Sequence, residues 1–165
     1  MTPADVPEVL AAQQPGAVIG LERVFPQDEY PFPREAVARR WLEEIETHEI
    51  DCLVVEQDQA VIGFAAIRGD EFMHFGIALE RWGTGVAQAA HDAILDRMRA
   101  QKVTRAWLRV FTGNERGRRF YEGLGWATTG ERSHSTFPPY PELLRYELEL
   151  QSGRMTLQRG TELPR

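Results

Sequence analysis

The chain has 165 residues, 42% of them hydrophobic and 27% charged, enough for one globular domain that buries roughly 70% of its unfolded surface. A net charge of −6 argues against non-specific nucleic-acid binding, which needs surplus Lys and Arg on the phosphates. One cysteine excludes an intrachain disulfide and any multi-thiolate metal site. No apolar run approaches the ~18 residues of a spanning helix and MTPADVPEVL lacks a leader pattern, so a cytoplasmic protein is expected.

Residues 1–150 read as one mixed α/β domain, and 151–165, where hydrophobic periodicity is lost, as a poorly ordered extension. The first helix is expected to be capped by Thr2 or Asp5 and to end at Gln13-Gln14-Pro15-Gly16. A second, from about Arg34 to Thr47, would bury Val37, Trp41, Leu42 and Ile45. Strands follow at Cys52–Glu56 and Ala60–Arg68, joined by a short hairpin turn, and at Glu71–Leu79. Gly83 and Gly85 open a long helix with Val86, Ala90, Ile94 and Met98 on one stripe and His91 read as a surface residue. A strand at Arg105–Phe111 leads to a helix from about Glu115 to Leu124. Its Gly117, Phe120, Tyr121 and Leu124 share one buried face, and Gly125-Trp126 stops it. Two last strands are expected at Ala127–Glu131 and Leu144–Leu150.

The most informative segment is Trp82-Gly83-Thr84-Gly85-Val86-Ala87. A strand delivers the chain to a tight turn and small residues open a helix, whose first N–H groups have no internal partner and carry partial positive charge. Glycines remove the Cβ atoms that would keep a ligand away, so the corner suits phosphate or pyrophosphate. It is neither a Walker A loop nor a G-x-G-x-x-G fingerprint. Downstream, NERGRRFYEGLGW places Tyr121 on a core-facing helix, where a phenol can act as a proton donor.

Together the two segments resemble the GNAT superfamily of acetyl-CoA-dependent N-acetyltransferases. The family's Q/R-x-x-G-x-G/A motif is matched at Gly85 and Ala87, with Trp82 in the Gln/Arg place; its N-x-x-A-x-x-F-Y-E-K-x-G-F motif is matched with Gly117 for Ala, Gly123 for Lys and Trp126 for Phe. The resemblance implies an α/β (α+β) domain with a mixed central sheet, its fourth and fifth strands splayed, about four flanking helices, and the first strand absent or truncated. It implies that acetyl-CoA is the co-substrate, without a metal. The backbone at Ile77 and Leu79 would pair with the pantetheine arm, and Trp82, Gly83, Thr84, Gly85, Val86 and Ala87 would form the pyrophosphate corner. Asn114 would touch the pantetheine side and Tyr121 would protonate the departing thiolate. Arg81 would compensate for the cation missing at Trp82, and Arg118 or Arg119 for the missing lysine.

The expected chemistry moves an acetyl group to a primary amine by direct attack in a ternary complex. The amine must lose a proton and the sulfur gain one, so a base and an acid are needed. Glu71 and His74 are the base candidates. Asp28, Glu29 and Tyr30 between the first two helices, and His134 before the last strand, would face the acceptor, where carboxylates and aromatics suit a cationic amine. A small-molecule acceptor is expected; a protein acceptor and a non-catalytic acyl-CoA sensor are the alternatives. Nucleic acid and membrane are not expected partners, and a homodimer is left open because dimers are common in the family.

Overall fold

The computed structural model describes residues 1–150; the expected extension, 151–165, lies outside the described residues. The elements are α1 (Val6–Gly20), α2 (Arg34–Glu46), β1 (Ile50–Gln57), β2 (Ala60–Arg68), β3 (Glu71–Ile77), α3 (Val86–Ala100), β4 (Arg105–Phe111), α4 (Glu115–Gly123), β5 (Ala127–His134) and β6 (Glu142–Glu149). The six strands form one mixed sheet in the order β1-β2-β3-β4-β6-β5. The mixed α/β architecture is the expected one, and no strand precedes α1 among the described residues.

Local sequence explains most boundaries. Asp58 and Gln59, with φ of 52° and 66°, make the two-residue turn whose left-handed pair matches the twist of the β1–β2 hairpin. Gly125, at φ 89°, stops α4 and turns the buried Trp126 into the core.

Four expectations are corrected. The helix α1 runs through Gln13-Gln14-Pro15-Gly16 to Gly20. Gly16 and Gly20 are there for packing, since a Cβ on either would lie 3.3 and 3.2 Å from the Trp82 ring. Leu42 is 40% exposed, while Val37 and Trp41 of the same helix are buried. The β3 strand ends at Ile77, and Leu79 lies in a 3-10 turn, Leu79–Arg81. His91 is not a surface residue but is 1% exposed.

The sheet has two unlike faces. On one, α3 and α4 pack Ile94, Leu95 and Met98, with Tyr121 and Leu124, against Ala65, Ile67, Phe72, Leu108, Val110 and Tyr146. On the other, α1 and α2 pack Val9, Leu10, Val37 and Trp41 against Cys52, Phe64 and Ala66. Alternation puts Trp107, Arg109, Arg145 and Glu147 on this second face.

Two irregularities in β3 shape what lies between. It pairs with the parallel β4 at one position, Glu71 with Trp107, supported by Trp107 N–H donating to Asp70 O at 3.0 Å. Beyond it the strands part into a wedge. Against β2, Ala66 faces His74 and the next residue, Ile67, faces Phe72, so Met73 is an extra residue, a β-bulge. The bulge turns Met73 and His74 to the same face: Met73 packs on the α1–α2 core and His74 meets Trp41 edge-on, 5.3 Å between ring centroids.

A Cβ on Gly63 would stand 2.6 Å from both the Gly76 carbonyl oxygen and Ile77 Cδ1. Backbone cannot yield as a flexible side chain does, so Gly63→Ala should cost ~1–3 kcal/mol and lower the thermal midpoint by ~2–4 °C per kcal/mol. Thermal unfolding followed by circular dichroism checks this; an unchanged midpoint would mean that β2 and β3 are not so tightly apposed.

Candidate active site

After β3 the chain passes through the Leu79–Arg81 turn into α3. Gly83 and Gly85 take φ of 75° and 86°, which favours glycine, and a Cβ on either would meet nothing within 4 Å. The loop therefore faces open space. The Thr84 hydroxyl and N–H both donate to Arg81 O, at 2.6 and 3.4 Å, which closes the turn. The amides of Gly83, Gly85, Val86 and Ala87 donate to no protein group among the described residues. Arg81 Nε, on the turn that leads into this loop, is buried without a hydrogen-bond partner. Idle amides at a helix N-terminus with an orphaned guanidinium nitrogen suit a multiply charged anion.

Trp82 does not enter that corner. Its Nε1–H donates to Ile77 O at 2.9 Å and its edge rests on Gly16 and Gly20 of α1. The guanidinium of Arg116, in the first turn of α4, lies over the ring at 3.9 Å. The indole thus turns back beneath the loop and holds a cation from across the wedge. Sequence reasoning missed Arg116. The signal was its place: β3 and β4 are parallel, so the turns after both open at the same end of the sheet. Arg119 is instead an exposed residue 4.0 Å from Glu115, and Arg118 donates to Tyr146 Oη at 3.2 Å.

Inside the wedge, Ala78 N–H donates to Ile62 O at 2.8 Å. Alternation then points the amides of Phe75 and Ile77 away from β2, toward the gap left by β4. The carbonyls of Ile77 and Leu79 are already used by Trp82, through Nε1 and the backbone N–H, so the expected pairing of an arm with these two residues is reduced to the amide side. Helix α4 lies alongside, with Phe120 stacked on Phe75 at 6.1 Å. Its cap is Asn114, whose Oδ1 accepts the Gly117 N–H at 2.9 Å. A Cβ at Gly117 would come within 2.5 Å of Asn114 Nδ2, so an alanine there would require the capping amide to shift. Tyr121 sits among His91, Phe120 and Trp126, and burial pushes its phenol pKa well up, so it keeps its proton. Its hydroxyl makes no hydrogen bond among the described residues.

The base candidates share the opposite face. Glu71 is 2% exposed and accepts from Arg68 at 2.5 Å and Arg109 at 3.1 Å. Its carboxylate is thus engaged at the closed end of the wedge. His74 Nε2 is 2.9 Å from Glu44 Oε1. A carboxylate only accepts, so Nε2 carries the proton and Nδ1 holds the free lone pair. Burial lowers the His74 pKa, with the Arg40 charge adding to it and Glu44 opposing it; the ring is neutral near pH 7.

The expected acceptor residues are not gathered here. Asp28 and Glu29 are exposed in the turn closed by Glu29 and Tyr30 N–H on Pro26 O, and Gln27 organises that loop through Phe25, Tyr30 and Phe32. His134 ends β5, exposed, paired with Glu142. It is Phe137 that reaches the α2 side, 5.8 Å from the Arg40 guanidinium. No group of His, Cys, Asp or Glu able to hold a metal occurs among the described residues, nor is any described helix long and apolar enough to cross a membrane.

A sheet parted between two parallel strands, with open amides at its mouth and a protonated phenol alongside, is the arrangement of an acyl-CoA-dependent N-acetyltransferase. Residues 17–126 match the Acetyltransferase (GNAT) family, and the chain belongs to it. The fold is similar to the PaiA N-acetyltransferase of Thermoplasma acidophilum, solved with coenzyme A (TM-score 0.69, 14% identity, 88% of this chain and 94% of that one). It is also similar to the ribosomal-protein-S18-alanine N-acetyltransferase of Escherichia coli (TM-score 0.66, 15% identity, 96% of each chain). An acetyltransferase of Thermus thermophilus is as near (TM-score 0.69, 15% identity, 90% of this chain and 93% of that one). No curated protein matches the sequence.

His91 offers a check on this packing. Trp126 Nε1–H donates to His91 Nε2 at 3.0 Å, so the ring is neutral with its proton on Nδ1, toward Asp92 at 2.9 Å. Burial lowers its pKa below 6.5. The unfolded chain takes up a proton below pH 6.5 that the folded state refuses, so stability is full above 6.5 and falls below it, by up to ~1.4 kcal/mol per pH unit per histidine. Urea unfolding from pH 7 to 5 should show a shallower fall for His91→Gln than for wild type; equal slopes would mean that His91 is not held neutral.

Proposed function

We infer that this protein transfers an acetyl group from acetyl-CoA to a primary amine of a small molecule, by direct attack in a ternary complex. The observation that carries this reading is the wedge between β3 and β4, with idle amides along it and at its mouth. The residues fit the coenzyme. Gly83, Gly85, Val86 and Ala87 would hold its diphosphate, with Arg81 Nε and the Arg116 guanidinium adding charge. The Phe75 and Ile77 amides would face its arm. Bound there, acetyl-CoA supplies a thioester, whose acyl carbon takes the acceptor nitrogen as the carbon–sulfur bond breaks.

The chain's own residues handle two protons. His74 Nδ1 takes the one that the amine nitrogen gives up, since Glu44 occupies the other ring nitrogen and holds the tautomer. The Tyr121 hydroxyl gives one to the departing sulfur. The products are the N-acetyl amine and the free thiol. Direct attack is supported by Cys52: it is buried, and burial pushes its thiol pKa up to about 11, so no thiolate offers itself as an acyl carrier.

Calorimetric titration with acetyl-CoA tests the reading at its base, and absence of binding would end it. Tyr121→Phe should leave the binding constant nearly unchanged and lower kcat by about 100-fold; equal rates from pH 6 to 9 would show that Tyr121 is not the acid.

Arg116→Ala should weaken acetyl-CoA binding by about tenfold and flatten its salt dependence, with kcat at saturation preserved. Unchanged affinity at low and high salt would remove Arg116 from the phosphate corner.

A further inference from the structure

The arginines that the strands carry on the face of His74 are occupied, Arg105 by Glu149. Arg68 and Arg109 both donate to Glu71. Arg145 donates to Glu147 and pairs with Glu131. Arg40, on α2, donates to nothing among the described residues. Its Nε is buried without a hydrogen bond, and its nearest charge is Glu44 Oε1 at 3.7 Å. Trp41 and Phe137 flank its guanidinium at 5.6 and 5.8 Å, and the side chain keeps 29% of its surface.

Its neighbour is incomplete in the opposite sense. Glu44 Oε1 accepts from His74, but Oε2 is buried with no partner. Arg40 and Glu44 thus meet only as a loose ion pair at 3.7 Å, with a buried donor and a buried acceptor left without a hydrogen bond, and leaving either unmade is costly. A guanidinium with free donors takes a carboxylate, often through two parallel bonds. A free carboxylate oxygen takes an ammonium. One short molecule that bears both groups completes both residues at once. The His74 ring, on the other oxygen of the same carboxylate, stands beside the ammonium end.

We propose that the acceptor is a small amino acid with a free carboxylate: Arg40 binds that carboxylate and Glu44 Oε2 binds the amine that is acetylated. The proposal rests on the acetyltransferase reading above and narrows its substrate class. Nδ1 of His74 faces away from Glu44, so the amine's proton reaches it through one water.

The test follows thiol release from acetyl-CoA by wild-type protein with matched acceptors: phenylalanine, phenylalanine amide and phenethylamine, and likewise alanine and glutamate with their amides. The amides deprotonate more readily, so chemistry alone favours them. At least about a tenfold higher kcat/KM for one of the free acids over its partners is expected. Arg40→Gln should abolish that preference through KM, and Arg40→Lys should restore part of it. Acetyl-CoA affinity, measured by calorimetry, should be the same in all three proteins, which also certifies that the variants fold. Amines or amides used as well as the acids, or a preference that survives Arg40→Gln, would overturn the proposal and leave the acetyltransferase reading standing. Coenzyme binding without turnover of any acceptor overturns the proposal too. No binding of acetyl-CoA overturns both.

Discussion

The structure depends on a pairing that is not made. Parallel strands β3 and β4 meet at Glu71 and Trp107 and nowhere else, in the middle of a sheet where every amide would ordinarily find a partner. Unpaired backbone is tolerated where solvent or a ligand supplies the missing half, and an unpaired strand edge is a template for anything extended with amides of its own. The wedge is held at both ends. At the closed end the Glu71 carboxylate of β3 is shared by Arg68 of β2 and Arg109 of β4, and Trp107 Nε1–H donates to Asp70 at 3.0 Å. At the open end Phe75 stacks on Phe120 and Trp82 meets Arg116. The gap between these clasps is therefore a fixed feature of the fold.

The Trp82 substitution has a structural logic. Where the family motif places Gln or Arg, the indole has one donor, and it is spent on the Ile77 carbonyl. The ring thereby satisfies a carbonyl that has lost its strand partner, and it offers a face to Arg116. A cation stacked on an aromatic ring keeps its N–H groups free at the ring's rim. A cation from the neighbouring element thus stands on the indole face, and α1 accommodates the larger residue with Gly16 and Gly20.

What the sequence made legible follows from the range of the interactions involved. The corner at Gly83 and Gly85, the β1–β2 hairpin, the Arg105–Phe111 strand and the Gly125–Trp126 stop are local, written in consecutive residues. The continuation of α1 through Pro15 and Gly16 is not, because its reason, the Trp82 ring, lies far along the chain. His91 reads as polar and exposed until Trp126 and Asp92 are seen to occupy its two nitrogens. In the candidate site, Tyr121 and the glycines are marked by the motifs, whereas Arg116, Arg40 and Glu44 carry no motif signal in the sequence. A helical arginine or glutamate looks like solvated surface, and only the fold shows which of them lacks a partner.

The bulge at Met73 ties these features together. In a regular strand His74 would share a face with Phe72 and enter the α3–α4 core, where a neutral imidazole would need two more polar partners. One extra residue reverses it. The ring then lies against Trp41 and reaches Glu44 on α2, while Phe75 returns to the other face and meets Phe120 of α4. The same bulge sits midway along β3, between the vertex at Glu71 and the mouth at Ile77. A single insertion thus sends an ionisable ring to the face with Arg40 and Glu44 of α2 and an apolar ring to the face that α4 covers. Backbone irregularity, more than any side-chain motif, is what makes the two faces of this sheet chemically different.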